Sequence, residues 1–390
     1  MTGGDVDFVL NGDAVSVADG ISLLDALREE FGCRSVKDGC SPQGQCGCCT
    51  VWVDGIPRVS CVTPVRRIAG RRVTTLEGLS PAARASWASA FVARGASQCG
   101  FCTPGIVMRL AALADSGSRA ATRRDVEAAL RAHLCRCTGW QSIVEAACDA
   151  LEAPATAGPA DISGRDLVLA AWRSQVEGPA FQTSGRDVVL GGGGFADDGA
   201  PEEALVQLGA AAPLTTSVRA ARAGTGRVQG RNSTMPLSHP VELPQGEWSL
   251  TLQTTWVEPA YVEPDASWCR PGAVPASPLA NGGAFGGKRR SPVPALARSL
   301  ADETSEPVRV LWCREDVVRR GPKRPPLSIA LRTDGTGVVR LGHTPDSSDL
   351  GVLAAQLREM CPAVEVELVE VAGPPVAPEL PMAMLPLSDE

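Results

Sequence analysis

The chain has 390 residues, 44% of them hydrophobic and 4% aromatic, with a formal net charge of −7 at pH 7. That length implies about two to four domains with real cores, and an acidic chain with pI near 5.3 is a poor partner for nucleic acid. No apolar run approaches the roughly 20 residues of a membrane span. The opening Met1-Thr2-Gly3-Gly4-Asp5 lacks the basic segment and apolar stretch of a secretory signal. These features point to a cytoplasmic protein, where clustered cysteines bind metal rather than pair as disulfides.

Residues 1–80 read as a small β-rich domain. Val6 to Leu10 alternates, Asn11-Gly12 is a strong hairpin signal, and Ala14 to Val17 returns. Ser22, with Asp25 three residues on, caps a helix whose apolar face is Leu23, Leu24 and Leu27. Thr50 to Val53 and Arg58 to Val62 form a second hairpin across Asp54-Gly55. Strands, a helix across them and a glycine-rich cysteine loop fit a β-grasp ferredoxin. Residues 81–152 change to helical spacing. Ser80-Pro81 opens a first helix that Gly95 ends, Thr103-Pro104 opens a second, Thr122 with Asp125 a third, and a fourth runs from about Gln141 to Leu151. Residues 153–160 have linker composition. Beyond them the signal weakens: Ser249 to Val257 and Val308 to Trp312 read as strands, Pro294 to Asp302 as a short helix, and 373–390 as a proline-rich tail.

Eight of the 14 cysteines fall into two sets of four. The first is Cys40, Cys46, Cys49 and Cys61. The second is Cys99 and Cys102 with Cys135 and Cys137. Thiolates are soft, electron-rich ligands, and four of them hold a 2Fe–2S cluster. Zinc is the competing reading of a Cys-x2-Cys paired with a distant Cys-x-Cys. The second set sits at expected helix ends, where free N–H groups and the dipole favour an anionic cluster.

The first set resembles the plant-type ferredoxin pattern, and it is followed by Gln98-Cys99-Gly100-Phe101-Cys102-Thr103-Pro104-Gly105 and Leu134-Cys135-Arg136-Cys137-Thr138-Gly139-Trp140. Together these resemble the iron–sulfur subunit of the molybdenum hydroxylases, the xanthine dehydrogenase and aldehyde oxidase family. The resemblance implies two 2Fe–2S clusters on the eight cysteines. It also implies that Gln98 and Cys137 contact the pterin of a molybdopterin cofactor held mostly by a partner subunit. The second cluster would then lie toward molybdenum and the first toward the FAD of another partner. Two features depart from the family: five residues separate Cys40 from Cys46 where four are usual, and Cys48 stands where alanine is usual. Cys33 and Cys48 are expected as packed core residues. Cys148, Cys269, Cys313 and Cys361 are expected as free buried cysteines.

Further on, Asn281-Gly282-Gly283-Ala284-Phe285-Gly286-Gly287-Lys288 resembles a glycine-rich loop of the family's molybdopterin-binding subunit, with Phe285 and Gly286 as candidate cofactor contacts. Val262 to Ala266, and Pro307 to Val310 with Arg314 to Asp316, resemble its flanking segments. The departures are a short spacer after Ala266, Arg289 in place of a glutamate, and no Gly-x-Gly-Glu region carrying a catalytic base. Residues 161–372 therefore read as a degenerate, truncated α+β region like a molybdopterin-binding domain, without chemistry of its own. The fold class expected is α+β: ferredoxin domain, four-helix cluster domain, then this region. The function expected is an electron-transfer subunit, with molybdopterin-binding and FAD-binding partners, for oxidative hydroxylation of an N-heterocycle or aldehyde. A non-catalytic iron–sulfur sensor or assembly scaffold is the alternative.

Overall fold

The structure is a computed structural model that describes residues 4–40, 43–115, 121–152, 185–225, 239–257, 260–278, 283–284, 287–289, 291–345 and 350–373. The expected linker, almost all of the expected tail, and Phe285 and Gly286 lie outside the described residues.

The chain divides into two compact units. One draws on Met1–Gly230, Tyr261–Gly283 and Pro292–Arg314, the other on Arg231–Ala260, Ala284–Ser291 and Glu315–Glu390. This spatial grouping follows a different line from the sequential division anticipated above, because part of the chain beyond residue 160 packs with the cysteine-bearing segments.

In the first unit, β1 (Asp5–Leu10) and β2 (Asp13–Ala18) form the anticipated hairpin. Asn11 and Gly12 turn it with φ of 53° and 108°, the left-handed conformations that this two-residue turn requires. With β3 (Thr50–Val53), β4 (Ile56–Val59) and β5 (Arg72–Thr74) they make a sheet of order β2-β1-β5-β3-β4. The helix α1 (Leu23–Asp25) crosses it, and its Ser22 hydroxyl accepts from the Asp25 N–H at 3.1 Å. It then widens into a π turn over Ala26–Glu30, closed by the Phe31 N–H on the Ala26 carbonyl at 3.2 Å. Leu23, Leu24, Ala26 and Leu27 are fully buried there.

The second hairpin differs from expectation at its return arm. That arm ends at Val59, and Ser60–Val62 forms a tight 3-10 turn. Both the N–H and the hydroxyl of Ser60 donate to the Cys49 carbonyl, at 3.1 and 2.9 Å. That pair of bonds bends the chain inward and carries Cys61 with it.

Four helices follow: α2 (Pro81–Arg94), α3 (Thr103–Asp115), α4 (Arg123–Ala129) and α5 (Gln141–Glu152). Ser80 caps α2 and Gly95, at φ 62°, ends it; Thr122 and Asp125 form a reciprocal capping box on α4. Trp87, Phe91, Ile106, Met108, Leu110 and Ile143 are buried in one continuous core with the sheet residues. The Trp52 indole N–H donates to the Met108 carbonyl at 2.7 Å, fastening β3 to α3.

The later part of this unit holds the short helix α6 (Arg186–Val189) and a three-stranded sheet. Its strands β6 (Leu205–Leu208), β8 (Ala266–Cys269) and β9 (Val308–Leu311) run in the order β6-β9-β8. The helices α7 (Val218–Thr225) and α8 (Val293–Thr304) accompany it. Buried ion pairs join this region to the segment that precedes the first cysteines. Arg28 donates to Asp197 at 2.6 Å and Asp198 at 3.1 Å, and Lys37 also pairs with Asp198. Arg309 holds Glu29 and Asp197, both at 2.7 Å. Arg222 holds Asp25 at 2.8 Å and Asp38 at 2.6 Å. The Lys37 ammonium also lies 4.9 Å from the centre of the Phe195 ring.

The other unit is built on β7 (Leu250–Gln253), β10 (Leu327–Leu331), β11 (Gly337–His343) and β12 (Val364–Glu370), in the order β12-β11-β10-β7. Leu350 and Ala354, at the start of α9 (Gly351–Met360), close its core against Leu327, Leu341 and Val366. The mixture of helices and strands agrees with the α+β class expected. Among the described residues, no helix is long and apolar enough to cross a membrane.

Candidate iron–sulfur sites

The first set of cysteines converges in the structure. Cys40, Cys46, Cys49 and Cys61 are 6, 3, 2 and 5% exposed. Three come from the loop before β3, and Cys61 comes from the turn that Ser60 bends inward. The Cys40 sulfur accepts from the thiols of Cys46 and Cys61, and Cys61 also meets Cys49. Those thiol contacts push Cys40 far below its ordinary value and Cys46 and Cys61 far above it. The N–H groups of Gln43 and Gln45 donate to the Cys40 sulfur at 3.3 and 3.5 Å. Such bonds stabilise a thiolate and its bound iron. Gly39 permits the packing, because a Cβ there would lie 2.9 Å from the Cys46 sulfur.

The second set converges in the same way. Cys102 stands just before α3, and Cys99 lies in the loop ahead of it. The Cys137 and Cys99 sulfurs are 3.5 Å apart, and Cys102 meets Cys135. The hydrogen bond from Cys102 brings the Cys135 thiol down to about 6, aided by Thr138, whose hydroxyl is 3.2 Å from that sulfur. Cys99 and Cys102 are pushed well up by the same contacts and by burial. Cys135 and Cys137 are half-buried, so this set reaches closer to the surface than the first. Among the described residues no group of three or more His, Cys, Asp or Glu side chains is posed to hold a single metal ion. In the second set the sulfurs meet in pairs, Cys99 with Cys137 and Cys102 with Cys135, and two thiolates per iron is the demand of a 2Fe–2S cluster.

The two sets are built against each other. The Leu134 N–H, one residue before Cys135, donates to the Cys46 carbonyl at 2.9 Å. A Cβ on Gly105 of α3 would come within 2.3 Å of the Gly47 carbonyl oxygen and 2.8 Å of that of Cys48. His133 is 6% exposed and lies 3.2 Å from the Thr50 hydroxyl. Burial brings its imidazole down to about 4, so it is neutral at physiological pH. Nothing in the spacing of the chain marks His133, Thr50 or Gly105, because their role is only to let two distant loops touch.

Gln98 is exposed in the loop beside Cys99. Gly283, within the glycine-rich loop, packs directly onto the second set: a Cβ there would meet the Cys99 Cβ at 2.6 Å and its sulfur at 2.7 Å. We expect Gly283→Ala to broaden or shift the reduced-state EPR signal of one cluster and leave the other unchanged. An unchanged pair of signals would show that this contact does not bear on the site. Phe285 and Gly286 lie outside the described residues.

Cys33 and Cys48 are buried, as expected, at 6 and 1% exposure. The expectation of buried thiols fails for three others. Cys361, at the C-terminal end of α9, is exposed, and Cys148 and Cys313 are half-buried, because each sits where its element meets solvent; Cys269 is buried.

Comparison with known proteins agrees with this geometry. The 2Fe-2S binding domain family matches residues 75–148. The nicotinate dehydrogenase small FeS subunit of Eubacterium barkeri is 39% identical over 141 residues, a stretch covering 88% of that protein and 35% of this chain. The chain belongs to the iron–sulfur subunit family of the molybdenum hydroxylases. A second member, the xanthine dehydrogenase iron-sulfur-binding subunit of Escherichia coli O157:H7, is 42% identical over 132 residues, covering 82% of its length. The family assignment makes this chain an oxidoreductase subunit that carries 2Fe–2S clusters and transfers electrons. In fold, the chain is similar to the aldehyde oxidoreductase of Desulfovibrio gigas, with a TM-score of 0.66 at 19% identity. That likeness covers 97% of this chain and 58% of the aldehyde oxidoreductase. It is a likeness of fold alone, but it extends past the residues shared with the small subunits.

Proposed function

We propose that Cys40, Cys46, Cys49 and Cys61 ligate one cluster and Cys99, Cys102, Cys135 and Cys137 the other. On this reading the chain relays electrons from a molybdopterin centre to FAD during oxidative hydroxylation of an N-heterocycle or aldehyde. Each cluster, when bound, takes up and releases one electron. The observation that carries the reading is the hydrogen bond from Leu134 to the Cys46 carbonyl. It places a residue adjoining one ligand set on a ligand of the other, so the sites are held at a short, constant separation. Gly47, Gly105 and His133 keep that separation rigid, and burial keeps water from the sulfurs of the first set.

We assign the second set to the side of the pterin of a molybdopterin-binding partner and the first to that of an FAD-binding partner, as the family resemblance implies; the half-buried Cys137 and exposed Gln98 support this. We assign residues 1–80 to a ferredoxin-like domain, 81–152 to a helical cluster domain and 161–372 to a molybdopterin-domain-like region. None of this chain's side chains acts as acid, base or nucleophile in the proposal. The sensor or scaffold alternative is not favoured, since the relatives in the comparison are subunits of enzymes.

Co-purification of the full chain tests the reading. We expect stoichiometric molybdopterin and flavin subunits, about four irons per chain, and two distinct EPR signals after dithionite reduction. A colourless protein containing zinc, or a chain recovered with a regulatory partner alone, would sink it.

A further inference from the structure

Cys48 has no part in the eight-ligand scheme, yet it is the thiol most closely enclosed by it. Its side chain is 1% exposed. Its thiol lies 3.9 Å from the Cys46 carbonyl, and its sulfur is in contact with the Cys46 sulfur. A Cβ on Gly39 would lie 2.9 Å from the Cys46 sulfur and 3.2 Å from that of Cys48, so both sulfurs occupy the space beside Gly39 that a side chain would need. Cys40 and Cys49 of the same set are also among its electrostatic neighbours, together with Cys135 of the second set. Five thiols thus surround a site that needs four.

The fifth thiol coincides with an irregular loop. Cys40 and Cys46 are separated by one residue more than the family's usual four, and Cys48 replaces the usual alanine. A sulfur two residues on, already in contact with the Cys46 sulfur, needs only a rotation of the loop to reach the same iron.

We infer that Cys48 is a reserve ligand of the first cluster, placed to bond the iron that Cys46 otherwise bonds. In that exchange the Cys48 thiol gives its proton to solvent and forms an Fe–S bond. The Cys46–iron bond breaks and Cys46 takes up a proton, so no electron is transferred. The inference rests on the ligand assignment proposed above.

The test uses the full chain in four forms: wild type, Cys46→Ala, Cys48→Ala and Cys46→Ala/Cys48→Ala. Each is reconstituted with ferrous iron and sulfide. The readouts are iron content, visible absorbance and reduced-state EPR, and the second cluster's signal reports that the chain has folded. We expect Cys46→Ala to keep about four irons per chain with a shifted first-cluster signal, and the double variant to fall about twofold while retaining the second cluster. Loss of the first cluster in Cys46→Ala, with the second intact, overturns the reserve role and leaves the assignment of Cys46 standing. Retention of both clusters in the double variant overturns the inference and that assignment together. Loss in Cys48→Ala alone, with Cys46→Ala intact, makes Cys48 the primary ligand and overturns the inference in the other direction.

Discussion

Replacing Cys102 with serine is expected to abolish the second cluster and leave the first. Cys102 is 5% exposed, meets Cys135, and stands where α3 begins, so the start of the helix holds its sulfur in place. A serine oxygen is a harder, less polarisable donor than a thiolate and binds cluster iron poorly. Iron content should fall from about four to about two per chain, and one of the two EPR signals should vanish. In the proposed relay every electron crosses both centres, so steady-state turnover of the assembled enzyme should collapse. Retention of both signals would show that these four cysteines are not the ligands. The surviving signal also identifies the first cluster, which is what the Cys46 and Cys48 variants need.

Asp197→Ala is expected to lower the stability of the first compact unit by about 3–5 kcal/mol, the cost of breaking a buried ion pair on one side only. Asp197 lies between Arg28 and Arg309, whose side chains are 4 and 7% exposed, and without it two buried guanidinium groups are left with one carboxylate each, Asp198 and Glu29. A urea titration followed by fluorescence and visible absorbance would detect the shift in midpoint. The exposed pair Arg123–Glu127, at 49 and 52% exposure, is the control, and its removal should leave the midpoint unmoved. Equal effects of the two changes would refute the importance of the buried network.

The same carboxylate sets an acid limit. Burial pushes Asp197 up, but Arg309 and Arg28 outweigh it and hold the group well below its ordinary value. A depressed folded-state pKa contributes stability in full above the ordinary carboxylate value of about 3.9 and loses it as pH falls further. Wild type should therefore weaken more steeply than Asp197→Ala on acidification below that point. Parallel pH profiles would contradict this sign.

The ferredoxin-like strands, the Asn11-Gly12 turn, the caps at Ser22, Ser80 and Thr122, and the four helices were all legible, because each is specified by residues a few positions apart. The cysteine sets were legible for a related reason: ligand spacing is local, and a soft anionic donor at regular intervals has few other uses. Legibility ended where partners are distant. Arg28 and Asp197 are separated by 169 positions and Arg309 and Glu29 by 280, and no periodicity links such pairs. Residues beyond 160 were read as one degenerate region, since their short elements carry little amphipathic pattern. In three dimensions, part of that region shares a compact unit with the cysteines.

By itself, then, the amino-acid order determined that this chain carries thiolate sites suited to 2Fe–2S clusters on strand-and-helix segments, because local spacing dictates both. The tertiary structure decided what surrounds them. It places Leu134 on Cys46, Gly283 on Cys99, a fifth thiol at the first site, and a buried charge network across the chain. Each of these arises from close packing between residues far apart in sequence, and only the folded chain brings them within contact.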